Sequence, residues 1–231
     1  MFWIGAMNFD RFAQDYVAEV DKVANVSVER LAGEKARLIL DVLSVQLGDP
    51  KHLRVLDIGC GIGLVDGELE GEVGLLCGAD LSRDSLDLAK ARAPTTRFTL
   101  YDGVHLPFAN ASFDAVFAVS VVHHVPPASR NVFMTEMLRP LIANGLAIII
   151  EHNPFNPVTR RIVSRCAFDA DAVLLNCRQA RDLLAAAGAP MAGRRYFGFS
   201  PIRNRLIEQV ERNFAWLPIG AQYCVWGIKQ G

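Results

Sequence analysis

The chain has 231 residues, 51% hydrophobic and 21% charged, a balance that excludes a disordered polypeptide and suits one sizeable α/β domain. A formal net charge of -1 lacks the basic footprint of a general nucleic-acid binder, and no apolar run approaches the length of a membrane span. Five cysteines without a C-x-x-C pair read as reduced thiols, so a soluble cytoplasmic protein without a secretory leader is expected.

Phe9, Phe12, Ala13, Tyr16, Val17 and Val20 recur at helical spacing behind Asn8 and predict an amphipathic first helix. A second helix is predicted from Ser27 to Leu47, ended by Gly48-Asp49-Pro50. Strands follow at 54–58 and 75–80, with Gly67, Gly71 and Gly74 between them predicting a short or irregular helix. Ser82 caps the next helix, and further strands are predicted at 97–101, 113–120 and 145–151. Val132, Phe133, Met137 and Leu138 make a helix between the last two. Asn176 and Gln179 form a capping box for another helix that closes at Gly188. Near the end, strands at 195–199 and 222–228 flank a helix predicted over 203–214. The alternation implies a doubly wound, mostly parallel sheet with helices on both faces, and the chain, without repeats or linkers, reads as one domain over 1–231.

The stretch from Arg54 to Ser82, RVLDIGCGIGLVDGELEGEVGLLCGADLS, is an apolar strand, a glycine-rich turn and a second strand ending on an aspartate. This is the outline of a nucleotide-binding unit, and the glycine spacing discriminates between cofactor classes. A dinucleotide fingerprint requires G-x-G-x-x-G. Here Gly59, Gly61 and Gly63 are spaced G-x-G-x-G behind Asp57, and position 64 is leucine, which argues against a nicotinamide-dependent oxidoreductase. Glycines this dense let a ligand lie on the backbone, with N–H groups expected to point at a carboxylate.

The stretch resembles the first motif of class I S-adenosylmethionine-dependent methyltransferases, and the similarity continues over most of the chain to GAQYCVWGIK. It implies a Rossmann-like, seven-stranded sheet whose last strand is antiparallel. It also implies that Asp57 and the backbone at Gly59, Cys60 and Gly61 hold the methionine part of S-adenosylmethionine, with Gly63 also counted among the cofactor-binding residues. Asp80 would chelate the ribose hydroxyls, Leu81 would pack on the adenine, and Asp102 with the Gly103 backbone would bind the adenine amino group. Val119 and Ser120, in the fourth-strand motif, would lie along the homocysteine moiety. Phe12 and Tyr16 would cover the cofactor from the N-terminal helices (1–47), although both also fit an ordinary helix core.

Methyl transfer needs a base only where the acceptor must lose a proton. Candidates are His123, His124, Glu151 and His152, after the fourth strand and at the end of the fifth. Adjacent His123 and His124 cannot point the same way on a regular element, so at most one is expected to face a substrate. No pair of ligands has recognised metal spacing, and no metal site is expected. Residues 152–177 form a long connection read as a lid, a substrate wall or a structural insertion. Its Arg160, Arg161 and Arg165, with Arg194 and Arg195, are candidates to grip an anion, and Phe155, Phe168, Tyr196 and Phe199 to wall a planar acceptor. The expected function is methylation of a small molecule, with S-adenosylhomocysteine as product. The alternatives are an RNA or protein methyltransferase on the same fold and a non-catalytic interaction protein. The acceptor and the oligomeric state are not legible.

Overall fold

Four of the five residues of β1 (Arg54–Ile58) are buried, and so are five of the six of β2 (Leu75–Asp80). Such near-continuous apolar runs belong to parallel strands covered on both faces, as seen in this computed structural model, which describes residues 16–24, 27–198, 209 and 213–231. With β3 (Arg97–Leu100), β4 (Phe113–Val119), β5 (Leu141–His152), β6 (Met191–Phe197) and β7 (Gln222–Ile228), they form one sheet ordered β3-β2-β1-β4-β5-β7-β6. β7 runs antiparallel to both of its neighbours, and the other ladders are parallel. The seven strands and the antiparallel last strand are as the sequence implied.

α2 (Val28–Leu47) packs Ile39 and Leu43 into a core with Phe117 and Ile148 on one face of the sheet. On the other face, α5 (Arg130–Leu138) and α7 (Cys177–Ala186) cover Val116, Ile149 and Tyr223. Two caps lie where the sequence put them, at Ser82 and Asn176, and Ser27, read as the first residue of its helix, serves as the cap of α2. Ser27 accepts the N–H of Arg30 at the start of α2, Ser82 accepts that of Ser85 at α4 (Arg83–Arg92), and Asn176 and Gln179 cap α7 reciprocally. α3 (Leu64–Leu69) is a helix of only six residues, as its glycines foretold. α1 (Tyr16–Ala24) is tied to α2 by Asp21, whose carboxylate accepts the N–H of Val28 at 2.7 Å.

Several boundaries differ from expectation. β5 begins at Leu141 rather than 145, because the pairing with β4 shifts register between Phe113 and Ala115 and Asn144 adopts φ 62°. β4 stops before Ser120, whose φ of 58° breaks the extended run. The predicted cap Asn8, the start of the first helix including Phe12, Phe199 and most of the predicted helix over 203–214 lie outside the described residues.

The strand order reverses between β1 and β4, and in open α/β sheets that switch point places a crevice at the carboxyl ends of the strands.

Candidate active site

A cleft of about 180 Å³ opens at that switch point. Its floor is the turn after β1, which folds back on β2. The N–H groups of Gly59 and Cys60 both donate to the Ala79 carbonyl, at 2.7 and 3.2 Å, and that of Gly61 donates to Asp80 Oδ2 at 2.8 Å. This corrects the expectation that these N–H groups point at a ligand carboxylate: they already anchor the turn to the neighbouring strand. What the turn offers instead is space. Gly61 has φ 53°, lines the cleft, and a Cβ added there would meet nothing within 4 Å.

Gly63 plays a different part from the one assigned to it. It does not line the cleft, and a Cβ on it would lie 2.8 Å from Cα and Cβ of Ala89. Its missing side chain lets α3 start against α4, so it is a packing glycine.

Asp57 and Asp80 both line the cleft, at the ends of β1 and β2. Asp57 is 2% exposed, and its Oδ1 has no hydrogen-bond partner among the described residues. Asp66 of α3, wholly buried, stands next to it. Burial first, and then the charge of Asp66, raise Asp57 well above the usual carboxylate range, and burial pushes Asp66 up to about 7. Asp80 accepts the Ser82 N–H on Oδ1 at 2.9 Å and the Gly61 N–H on Oδ2, which orients its carboxylate. Leu81, Gly103, Val119 and Ser120 complete this end of the cleft. Ser120 Oγ is buried without a hydrogen-bond partner among the described residues.

Asp102 departs from its expected place. Its carboxylate accepts the N–H groups of Val104 and His105, at 2.8 and 2.7 Å, in its own turn. It is exposed and absent from the cleft wall, and those bonds hold it down at about 2. Tyr16 opens α1, and Phe12 lies outside the described residues.

At the other end of the cleft, His123 and His124 share one 3-10 turn, Val122–His124. Both rings reach the same atom: Asp169 Oδ1 lies 3.4 Å from His123 Nε2 and 3.5 Å from His124 Nε2. The expectation that adjacent histidines diverge assumed a regular element, and the tight turn removes that constraint. Only His124 lines the cleft, together with Phe168 and Asp171. His123 lies behind it, its Nδ1 2.5 Å from Glu151 Oε2, both side chains buried. Burial lowers the His123 imidazole, but Glu151 and Asp169 outweigh it and raise it to about 9. Burial would raise Glu151, but His123 holds it at about 2. His152 packs its ring 5.2 Å from that of His123, away from the cleft wall.

Asp169 arrives from the long connection, after α6 (Pro157–Val163) and a short turn at Ala167–Asp169. The connection is fastened where the Val173 N–H donates to the His123 carbonyl at 2.8 Å and the Arg130 guanidinium reaches the Val173 carbonyl. Arg160, Arg161, Arg165 and Arg194 face solvent, and Arg195 pairs with Asp41. None of these arginines lines the cleft. Phe155 is exposed and Tyr196 is buried in the core, so of the aromatic candidates Phe168 alone faces the cleft among the described residues.

Residues 56–149 match the family model described as a methyltransferase domain. That match covers less than half of the chain, and likeness to S-adenosylmethionine-dependent methyltransferases extends beyond it in the fold. It is 33% identical over 120 residues to methyltransferase GfsG of Streptomyces halstedii, an alignment covering 48% of this chain and 42% of that one. It is 32% identical over 143 residues to the demethylmenaquinone methyltransferase of Beutenbergia cavernae, covering 62% and 55%. The chain thus spans about half the length of these curated relatives. Among solved structures, a SAM-dependent methyltransferase of Thermotoga maritima, described as a possible histamine N-methyltransferase, superposes with a TM-score of 0.68 at 18% identity, covering 96% of this chain and 98% of that one.

Three residues of this site were missed in the sequence. Asp169 and Asp66 meet their partners only through tertiary docking, so no local pattern marks them. Lys35 was findable: Val28, Ala32 and Lys35, at i, i+4 and i+7, form the one stripe of α2 that lines the cleft. Burial lowers the Lys35 ammonium to about 8 against the opposing pull of Glu151 and Asp169. Among the described residues the cysteines are free and buried, and no helix is long and apolar enough to cross a membrane.

Proposed function

We propose that this chain transfers a methyl group from S-adenosylmethionine to a small-molecule acceptor in the switch-point cleft. The observation that carries the reading is the convergence of Asp57, Asp80 and Ser120 around the open space at Gly61. Two buried polar atoms there, Asp57 Oδ1 and Ser120 Oγ, have no partner among the described residues and fit a ligand that brings an amino group and other polar atoms. Bound there, S-adenosylmethionine supplies a methyl group already activated on a sulfonium and leaves as S-adenosylhomocysteine.

The residues of the chain divide the work by position. Asp57 pairs with the cationic amino group of the methionine part, beside the backbone at Gly59, Cys60 and Gly61. Asp80, held by two backbone N–H groups, presents a fixed carboxylate to the ribose diol. Leu81 and the Gly103 backbone flank the adenine, and Val119 and Ser120 line the path to the sulfur. The acceptor occupies the far end, against Val125, Phe133, Phe168 and His124. Holding donor and acceptor in line there supplies about 7–11 kcal/mol of the barrier.

Of the four catalytic candidates, His124 is the one that touches the acceptor, while His123, Glu151 and His152 position it from behind. The connection over 152–177 is a substrate wall rather than an anion clamp, since it delivers Phe168, Asp169 and Asp171 and leaves its arginines in solvent. A small acceptor is supported by the balanced charge and by the quinone named for one relative. The free cysteines support a cytoplasmic setting.

The test is isothermal titration of the protein with S-adenosylhomocysteine, followed by transfer of labelled methyl groups to a panel of quinols, phenols and amines. Saturable one-site binding with labelled product from a panel member is expected. Absence of binding would overturn the reading.

A further inference from the structure

His123, His124 and Asp169 are brought together by the fold alone: two residues of one tight turn and one from a connection more than forty positions away. Their ligand atoms all lie within 4.8 Å of one another. The spacing is informative. Asp169 Oδ1 stands 3.4 and 3.5 Å from the two Nε2 atoms, beyond the usual reach of a good N–H···O hydrogen bond. Atoms bound tetrahedrally at about 2.1 Å from one ion lie about 3.4 Å apart, which matches both separations.

The surroundings match too. His123 Nδ1 faces Glu151 at 2.5 Å, and His124 Nδ1 faces Asp171 at 3.8 Å. Glu151 thus lies within hydrogen-bond reach of His123 Nδ1 and turns that ring's Nε2 towards Asp169, whereas Asp171 stands beyond hydrogen-bond reach of His124 Nδ1. Carboxylates placed behind the far nitrogen are how metal-bound histidines are oriented and made more basic. His123 Nε2 is buried and makes no hydrogen bond among the described residues. One member, His124, lines the cleft, so a remaining coordination position opens on the space where the acceptor is placed.

We propose that His123, His124 and Asp169 bind one divalent transition-metal ion of the Zn²⁺ class, with Glu151 as the supporting carboxylate. Two imidazoles and one carboxylate suit Zn²⁺, Co²⁺ or Fe²⁺ and are poor in oxygen for Mg²⁺ or Ca²⁺. Ion and proton compete for His123, so occupancy displaces the imidazolium proton into solvent. The proposal departs from the sequence expectation of no metal, which looked for ligand spacing along the chain and had no means of bringing in Asp169. It also extends the proposed function: an ion at that wall takes an oxygen or nitrogen of the acceptor in its open position, a consequence that rests on the methyltransferase reading, whereas ion binding itself does not.

The test uses the full chain stripped with a chelator and titrated with Co²⁺ alone, read by visible absorption and by calorimetry. One equivalent is expected, with the intense visible bands of a four- or five-coordinate ion, displaced by Zn²⁺ and not by Mg²⁺. Asp169→Asn, at a partly accessible loop position, should weaken Co²⁺ at least tenfold, and Glu151→Gln should weaken it about 10–100-fold. Circular dichroism of both variants establishes that they are folded. No binding to the wild-type chain, or equal binding to Asp169→Asn, overturns the proposal and leaves His123, Lys35 and Arg130 as counter-charges to the buried carboxylates. Loss of S-adenosylhomocysteine binding with Co²⁺ binding intact would sink the proposed function and leave the metal site standing.

Discussion

Asp80 Oδ2 accepts the backbone N–H of Gly61 at 2.8 Å, tying the end of β2 to the glycine turn that follows β1. One carboxylate thus fixes the turn and faces the cleft. Asp80→Ala is expected to weaken S-adenosylhomocysteine at least tenfold, because it removes two charge-assisted bonds to the ribose and loosens the turn. Titration calorimetry measures the affinity, and circular dichroism shows that the fold persists. Unchanged affinity would place the ribose elsewhere.

Gly63 is expected to matter for stability rather than for the ligand. Gly63→Ala puts a Cβ 2.8 Å from Ala89 Cα on a backbone already at φ 74°. Overpacking and strain together should cost about 2–4 kcal/mol in urea unfolding. Affinity of the remaining folded protein should change little, and a selective loss of binding would return Gly63 to the cofactor site.

The paired acids Asp57 and Asp66 predict a pH dependence with a definite sign. Both are raised in the folded chain, so their contribution to stability is present below the ordinary carboxylate value of 3.8 and lost as pH rises through about 7. The ligand-free protein should therefore lose thermal stability across that window as the pair is forced to ionise. Asp66→Asn should flatten the profile and stabilise the protein at its alkaline end. A profile identical to wild type would mean that the two carboxyls do not share a proton.

Deletion of residues 154–170 removes Phe168 and Asp169 but none of Asp57, Asp80 or Ser120. Acceptor turnover should fall by at least tenfold more than S-adenosylhomocysteine affinity does, measured as kcat/KM against calorimetric Kd. Equal loss of both would make the connection a structural insertion.

The sequence made the strands, caps and cleft end legible for local reasons. β1 and β2 are short apolar runs bounded by polar or glycine residues, and Ser82 and Asn176 precede helical periods at the positions that capping chemistry demands. Asp57 and Asp80 were legible because strand ends at a switch point are fixed by the topology. Other features escaped because they depend on where distant pieces dock. Asp102 closes its own turn instead of facing the cleft, an outcome its Asp-Gly pair allowed equally well. Asp169 became visible only when α6 and the turn after it carried it to His123 and His124. Lys35 was overlooked through attention to the apolar face of α2, although a cleft-facing stripe was present in the same period.

The central claim is that this cleft binds S-adenosylmethionine. It is tested most directly by thermal unfolding with S-adenosylhomocysteine, S-adenosylmethionine and NAD in parallel. A ligand at about a hundred times its dissociation constant adds about 2.7 kcal/mol, which for a chain of this size raises the midpoint by about 5–10 °C. The account predicts that rise with both adenosyl ligands and none with NAD. A rise with NAD alone, or with no ligand at all, would contradict it.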